Sequence, residues 1–175
     1  MSRTNTSAAK AAAPIEEAEE KKPMKPKEVD VHQYIPVING FHGTLCYVSR
    51  RNGETFVWDR FGDEQEMELQ ELKNAKSSEK LFFQNNWFMF PEEYAWVVDY
   101  LGVRQFYKNA LKPEDFDKLF TKQPAEIKKI VAGMSDGQKG SLRYRVLELL
   151  AQDGIDSRKV IAALEEALGV QLVEK

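Results

Sequence analysis

Cysteine occurs once in this chain of 175 residues, at Cys46, and histidine twice, at His32 and His42. One cysteine excludes an internal disulfide and any cysteine-based zinc cluster within a single chain. His42 and Cys46 stand four apart, a spacing that suits a helix, but the segment around them reads as strand. Four strand residues span about 13 Å, too far to chelate easily. Neither histidine has an acid beside it in sequence to orient it as a base. No metal, no cofactor and no cysteine–histidine nucleophile are therefore expected.

Other absences narrow the function further. No apolar run approaches the roughly 20 residues that cross a bilayer, and the first residues lack the apolar centre of an export signal. There is no glycine-rich phosphate cradle, no G-x-S-x-G elbow and no H-E-x-x-H pair. The acidic run Asp63, Glu64, Glu66, Glu68 and Glu71 lacks the glycine and the alternating oxygen ligands of a calcium loop, and reads as a solvated helix start. Glu92 and Glu93 are adjacent, so on a helix they diverge by about 100° and do not make a catalytic pair. The expectation is a protein that is not an enzyme. A net charge of −3 weighs against nucleic acid as the main partner, because such affinity rests on neutralised phosphates.

What is present has a clear order along the chain. Residues 1–29 mix Ala, Lys, Glu and Pro with few large apolar groups, the composition of a flexible or partner-ordered arm. Residues 30–110 read as a small β unit with helices. In "GTLCYVSRRNGETFVWDRF", Asn52-Gly53 divides two alternating runs, and a two-residue turn there pairs Ser49 with Phe56, Val48 with Val57 and Tyr47 with Trp58. Leu45, Tyr47, Phe56 and Trp58 then share one side. "YIPVINGF" offers a further strand that Pro36 restricts to an edge or bulge. "FGDEQEMELQELKNAKSS" moves from turn to helix with Leu69, Leu72 and Ala75 on one side, and Pro91 opens another helix that stops at Gly102.

Residues 111–175 read as a helical bundle. Pro113 and Pro124 open short helices, the first with Phe116, Leu119 and Phe120, the second with Ile127, Ile130, Val131 and Met134 on the buried side. Ser135 and Gln138 have the spacing of a capping box, and Leu142, Val146, Leu149 and Leu150 follow as a stripe. Asp156 is placed to cap the last helix, with Ile155 stapled onto Val160, and Gly169 ends it. This closing pair has the outline of a DNA-reading helix-turn-helix. The cations that would serve are Lys139, Arg143, Arg145, Arg158 and Lys159. Acids slightly outnumber bases from Ser135 onward, and Glu165 and Glu166 would face phosphates, so a DNA-binding regulator is the alternative and not the main reading.

The strongest functional signal is aromatic. The Tyr94, Val97, Val98 and Leu101 stripe leaves Trp96 and Tyr100 to one side, and with Trp87 and Phe88 they form the expected protein interface, since large aromatics dominate interface centres. Single-stranded bases would need more interleaved cations than Arg104 and Lys108 supply.

"NGFHGTLCYVSRRNGETFVWDRFGDEQEMELQEL", "NNWFMF" and "GIDSRKVIAALEEALGV" together resemble virion- and assembly-associated proteins of tailed bacteriophages, over residues 31–175. That resemblance implies a virion component or assembly factor in the virion or host cytoplasm, and it brings no site residues with it. The expected whole is an α+β protein: an arm, a small antiparallel β unit on an aromatic-rich helical segment, and a C-terminal helical bundle. It would act as a structural or assembly subunit, binding other protein subunits or further copies of itself.

Overall fold

The computed structural model describes residues 29–173. The arm expected over residues 1–29 lies outside them except for Val29, which is half-buried against the core and so belongs to the folded unit. The protein is an α+β fold. Strand β1 (Tyr34–Asn39) lies between β4 (Glu64–Glu68) and β5 (Phe88–Met89) in an antiparallel sheet, and β2 (Leu45–Val48) pairs with β3 (Thr55–Trp58) in a second one. Alternation places Ile35 and Val37 of β1 inward, both fully buried. β5 reaches only Ile38 and Asn39, so at Pro36 the strand pairs on the β4 side alone, where a missing N–H is tolerated.

The hairpin keeps its expected faces and shifts its register. Leu45 pairs with Trp58 and Tyr47 with Phe56, which makes the connection Arg50–Gly53 rather than Asn52-Gly53 alone. Ser49 is the cause: its Oγ accepts from the amides of Arg51 (3.1 Å) and Asn52 (3.3 Å), and its carbonyl accepts from Gly53. A serine hydroxyl that satisfies turn amides favours a four-residue connection over a two-residue one. Because the shift is two residues and not one, Leu45, Tyr47 and Trp58 remain inside.

The acidic run is not a helix start. Glu64–Glu68 is the edge strand β4, and α1 (Leu69–Ser78) begins only afterwards, burying Leu69, Leu72 and Ala75. Pairing from Tyr34↔Glu68 to Ile38↔Glu64 satisfies the backbone, Met67 enters the core, and the glutamates sit on an edge where charge deters further pairing. Next come α2 (Leu81–Gln84) and a 3₁₀ turn over Glu92–Tyr94 that interrupts the helix expected from Pro91. α3 (Trp96–Tyr100) then completes the segment, just before Gly102 at φ +67°.

The C-terminal part holds α4 (Phe116–Leu119), α5 (Pro124–Gly133), α6 (Asp136–Ala151) and α7 (Arg158–Leu168). Ser135 caps α6 as expected, but Gln138 does not return the bond. Its side chain instead donates to the Leu111 carbonyl (2.7 Å) and accepts from the Leu111 amide (3.0 Å), clamping the incoming linker. The cap of α7 is Ser157, not Asp156, because the amide needing an acceptor belongs to Val160, three residues on. α7 packs against α5, with a Lys128–Glu166 ion pair at 2.5 Å, so α6 and α7 are not the closely packed pair that the helix-turn-helix outline suggested.

Two hydrophobic clusters result, one around the sheets and α1–α3, the other among α4–α7. Several contacts join them, three of which set the approach of the C-terminal part to the sheets. Phe61, from the β3–β4 connection, meets Phe116 edge-on at 4.9 Å; Ser141 on α6 donates to the Gly40 carbonyl and accepts from the His42 amide; and Gly137 abuts Asn85.

Candidate functional site

Of the four expected interface aromatics, Phe88 belongs to the core, Trp87 and Trp96 are half-buried against it, and Tyr100 is exposed. Phe88 is fully buried, with the rings of Trp58, Phe82 and Phe83 at 5.5, 4.7 and 5.5 Å, and its carbonyl accepts from the Tyr107 hydroxyl at 2.6 Å. As part of β5 it is laid against the end of β1, which sequence spacing did not reveal. Trp87 is half-buried and packs edge-on to Phe41 and Phe82.

Tyr100 is exposed, while Trp96, like Trp87, is half-buried and packs against the core cluster. Four apart on α3, Trp96 and Tyr100 share a face while Val97 points inward. Their rings meet edge-to-face at 6.1 Å, Tyr100 is 38% exposed, and Lys73 Nζ of α1 stands 5.9 Å over the Tyr100 ring. A paired aromatic surface beside a cation is suited to covering apolar protein surface with an acidic margin.

The five cations of the DNA-reading alternative have unequal fates. Arg145 grips Asp117 with two bonds of 2.9 and 2.7 Å and reaches Glu148 at 2.8 Å, so it is spent inside the fold. Its hydrogen bonds hold the Asp117 carboxyl below the usual carboxylate range. Lys139 stands 4.0 Å from Asp136. Arg143, Arg158 and Lys159 are exposed, the last two opening α7.

Sequence reading also missed two histidine–carboxylate pairs, because their acids come from distant elements. His32 Nδ1 lies 2.6 Å from Glu68 Oε1, and His42 Nε2 lies 3.3 Å from Glu148 on α6. His42 stacks on Tyr144 with ring centroids 6.3 Å apart and lines a cleft of about 470 Å³ with Arg60, Asp117, Arg145 and Glu148. The hydroxyl closest in role to a nucleophile, Ser141 Oγ, is directed to the Gly40 carbonyl. This arrangement braces the joint between the two clusters. Among the described residues, no group of three or more His, Cys, Asp or Glu is placed to hold a metal, and no helix is long and apolar enough to cross a membrane.

Glu71 overturns the reading of the acidic run as a solvated face, being only 1% exposed. Its carboxylate accepts from Tyr47 Oη (2.7 Å), Asn74 Nδ2 (3.0 Å) and Arg51 Nε (3.1 Å). Burial pushes this carboxyl up, but the bonds from Asn74 and Tyr47 and the charge of Arg51 prevail and hold it below its ordinary value. A depressed carboxyl adds stability above the unfolded value of about 4.3 and loses it as pH falls through the lower folded value. Thermal midpoints from pH 7 to pH 3 are expected to drop less steeply in Glu71→Gln than in the native protein. At pH 7 that variant is expected to be weaker by about 1–2 kcal/mol, through impaired pairing of Tyr47 and Arg51. Superimposable pH profiles would remove Glu71 from this role.

No protein-family model, curated protein or solved structure matches this chain.

Proposed function

We propose that the protein is a non-enzymatic structural or assembly subunit that binds other proteins, as a component of a bacteriophage particle. The observation that supports protein binding is the Trp96–Tyr100 pair on a short helix, in which Tyr100 is exposed beside a half-buried Trp96 and is flanked by Lys73. Aromatics on a rigid element lose little entropy on docking and supply most of the energy at interface centres. The bacteriophage assignment rests on the sequence resemblance.

Particle fractionation tests both parts. Native protein is expected to co-purify with virions or their assembly intermediates in fixed stoichiometry. Trp96→Ala with Tyr100→Ala is expected to cut incorporation by about thirtyfold to a thousandfold, as loss of two anchors worth about 1–2 kcal/mol each predicts. Because Trp96 packs partly against the core, Tyr100→Ala alone is the control whose thermal midpoint should stay close to native. Absence of the native protein from particles would reject the bacteriophage assignment, and full incorporation of the double variant would reject the aromatic docking surface.

A further inference from the structure

Helix α6 is apolar on two sides, and only one of them is covered. Leu142 and Val146 are buried in the C-terminal cluster, and Leu149 packs against it. At 100° per residue the opposite side carries Gly140, Tyr144, Leu147 and Ala151. Tyr144 is 57% exposed, Leu147 is 39% exposed, Ala151 is exposed, and a Cβ on Gly140 would meet nothing within 4 Å. Separations of four, three and four residues make these positions the seam along which one helix packs on another. The seam begins at Gly140, because Gly137 one turn earlier is closed against Asn85. Two charges border it. Arg143, on one flank, is exposed and has no hydrogen bond or ion pair among the described residues. Glu148, on the other, has a side chain 42% exposed, and both of its bonds within the chain end on one oxygen: Oε2 accepts from Arg145 Nη1 at 2.8 Å and lies 3.3 Å from His42 Nε2. Oε1 is left with its acceptor capacity unused.

We propose that α6 pairs in parallel with α6 of a second copy of the chain, about a twofold axis running along this seam. Each seam residue then meets its own counterpart, and Gly140 leaves room beside the bulky Tyr144 layer. In a parallel pair a flanking residue reaches the opposite flank of the other helix five positions further on. Arg143 therefore comes to Glu148 of the partner subunit, donating to the free Oε1, and symmetry makes this bond twice. Antiparallel pairing would instead bring Arg143 beside Arg143 of the partner subunit, and Glu148 beside Glu148 of the partner subunit. Charge thus selects the parallel arrangement, and a surface that completes its own ion pairs about a twofold selects a second copy over an unrelated helix. The seam points away from Leu142 and Leu149, so the two folded bodies lie on opposite outer sides of the helix pair. Both helices are already formed, which spares the pairing the cost of ordering backbone. The contact lies on a different helix from Trp96 and Tyr100 and stands or falls independently of that surface.

Sedimentation of the intact chain tests the pairing, and a concentration-dependent dimer is expected. Leu147→Glu, which sets like charges across the seam, and Arg143→Glu, which turns both flanking attractions into repulsions, are each expected to weaken association by about tenfold or more. Arg143→Lys keeps the charge and is expected to stay within about threefold of native. These side chains point to solvent, and circular dichroism identifies a variant that has failed to fold. Direction is read from Ala151→Cys in a chain that also carries Cys46→Ser. Parallel pairing sets the two new thiols face to face, within reach of a short bismaleimide, whereas antiparallel pairing separates them by about 16 Å along the helices. A covalent dimer from that chain, lost when Leu147→Glu is added, supports the proposal. A chain that stays monomeric up to about 1 mM overturns it. So does a dimer that both Leu147→Glu and Arg143→Glu leave intact, and so does one in which Ala151→Cys forms no bridge.

Discussion

Trp58→Ala is expected to cost about 3–5 kcal/mol of folding free energy, the range for emptying a large aromatic site in a packed core. Trp58 is fully buried, and its ring lies 5.5 Å from Phe88 and 6.5 Å from Phe56. Its indole Nε1 also donates to the Val37 carbonyl at 2.8 Å, tying the β2–β3 hairpin to the central strand of the other sheet. Truncation therefore opens a cavity and removes the donor from a buried acceptor at once. Domains of this size are typically stable by about 5–15 kcal/mol, so little would remain. Urea unfolding followed by circular dichroism measures the loss. Trp58→Phe, which keeps most of the ring, is expected to recover more than half of it. A cost below about 1 kcal/mol for Trp58→Ala would mean that the hairpin does not pack on β1 in this way.

Two glycines of α6 are expected to respond to alanine with opposite signs. A Cβ on Gly140 would meet nothing within 4 Å, so Gly140→Ala should stabilise the protein by about 0.5–1 kcal/mol through reduced backbone entropy of the unfolded chain. A Cβ on Gly137 would lie 2.4 Å from the Asn85 carbonyl oxygen and 2.4 Å from Asn85 Cβ. Backbone does not yield as a flexible side chain does, so Gly137→Ala should cost about 2–3 kcal/mol by forcing α6 off the β unit. Calorimetry of the two variants gives the comparison. If both stabilise, the close approach of α6 to Asn85 is wrong, and with it the bracing role of Ser141 and His42 at the same joint.

How far these features were legible depends on whether their causes are local. The Leu69, Leu72 and Ala75 face, the Ser135 cap and the left-handed Gly169 at φ +65° follow from spacing and backbone preference within one turn of helix. The hairpin faces were legible because alternation has period two, but the register depended on whether the Ser49 hydroxyl would accept from the turn amides of Arg51 and Asn52. Glu64–Glu68 looked like a helix start because acids favour that position. Its strand state was decided by β1, whose unpaired side required a partner. Among the aromatics, Tyr100 could be separated from the core by helical periodicity and Trp96 only in part, whereas Phe88 could not, since a two-residue strand has no period to read.

The amino-acid sequence alone determined the α+β class, the sides on which most apolar residues lie, and most of the places where helices begin and end. Each of these follows from interactions among residues a few positions apart. Tertiary structure decided which carboxylate partners which cation, as in Arg145 with Asp117 and His42 with Glu148, and it also decided that Glu71 is buried and that β2 is left with an open side. Those outcomes depend on the approach of segments far apart in the chain, where the energy of a contact is set by three-dimensional distance and by the exclusion of water.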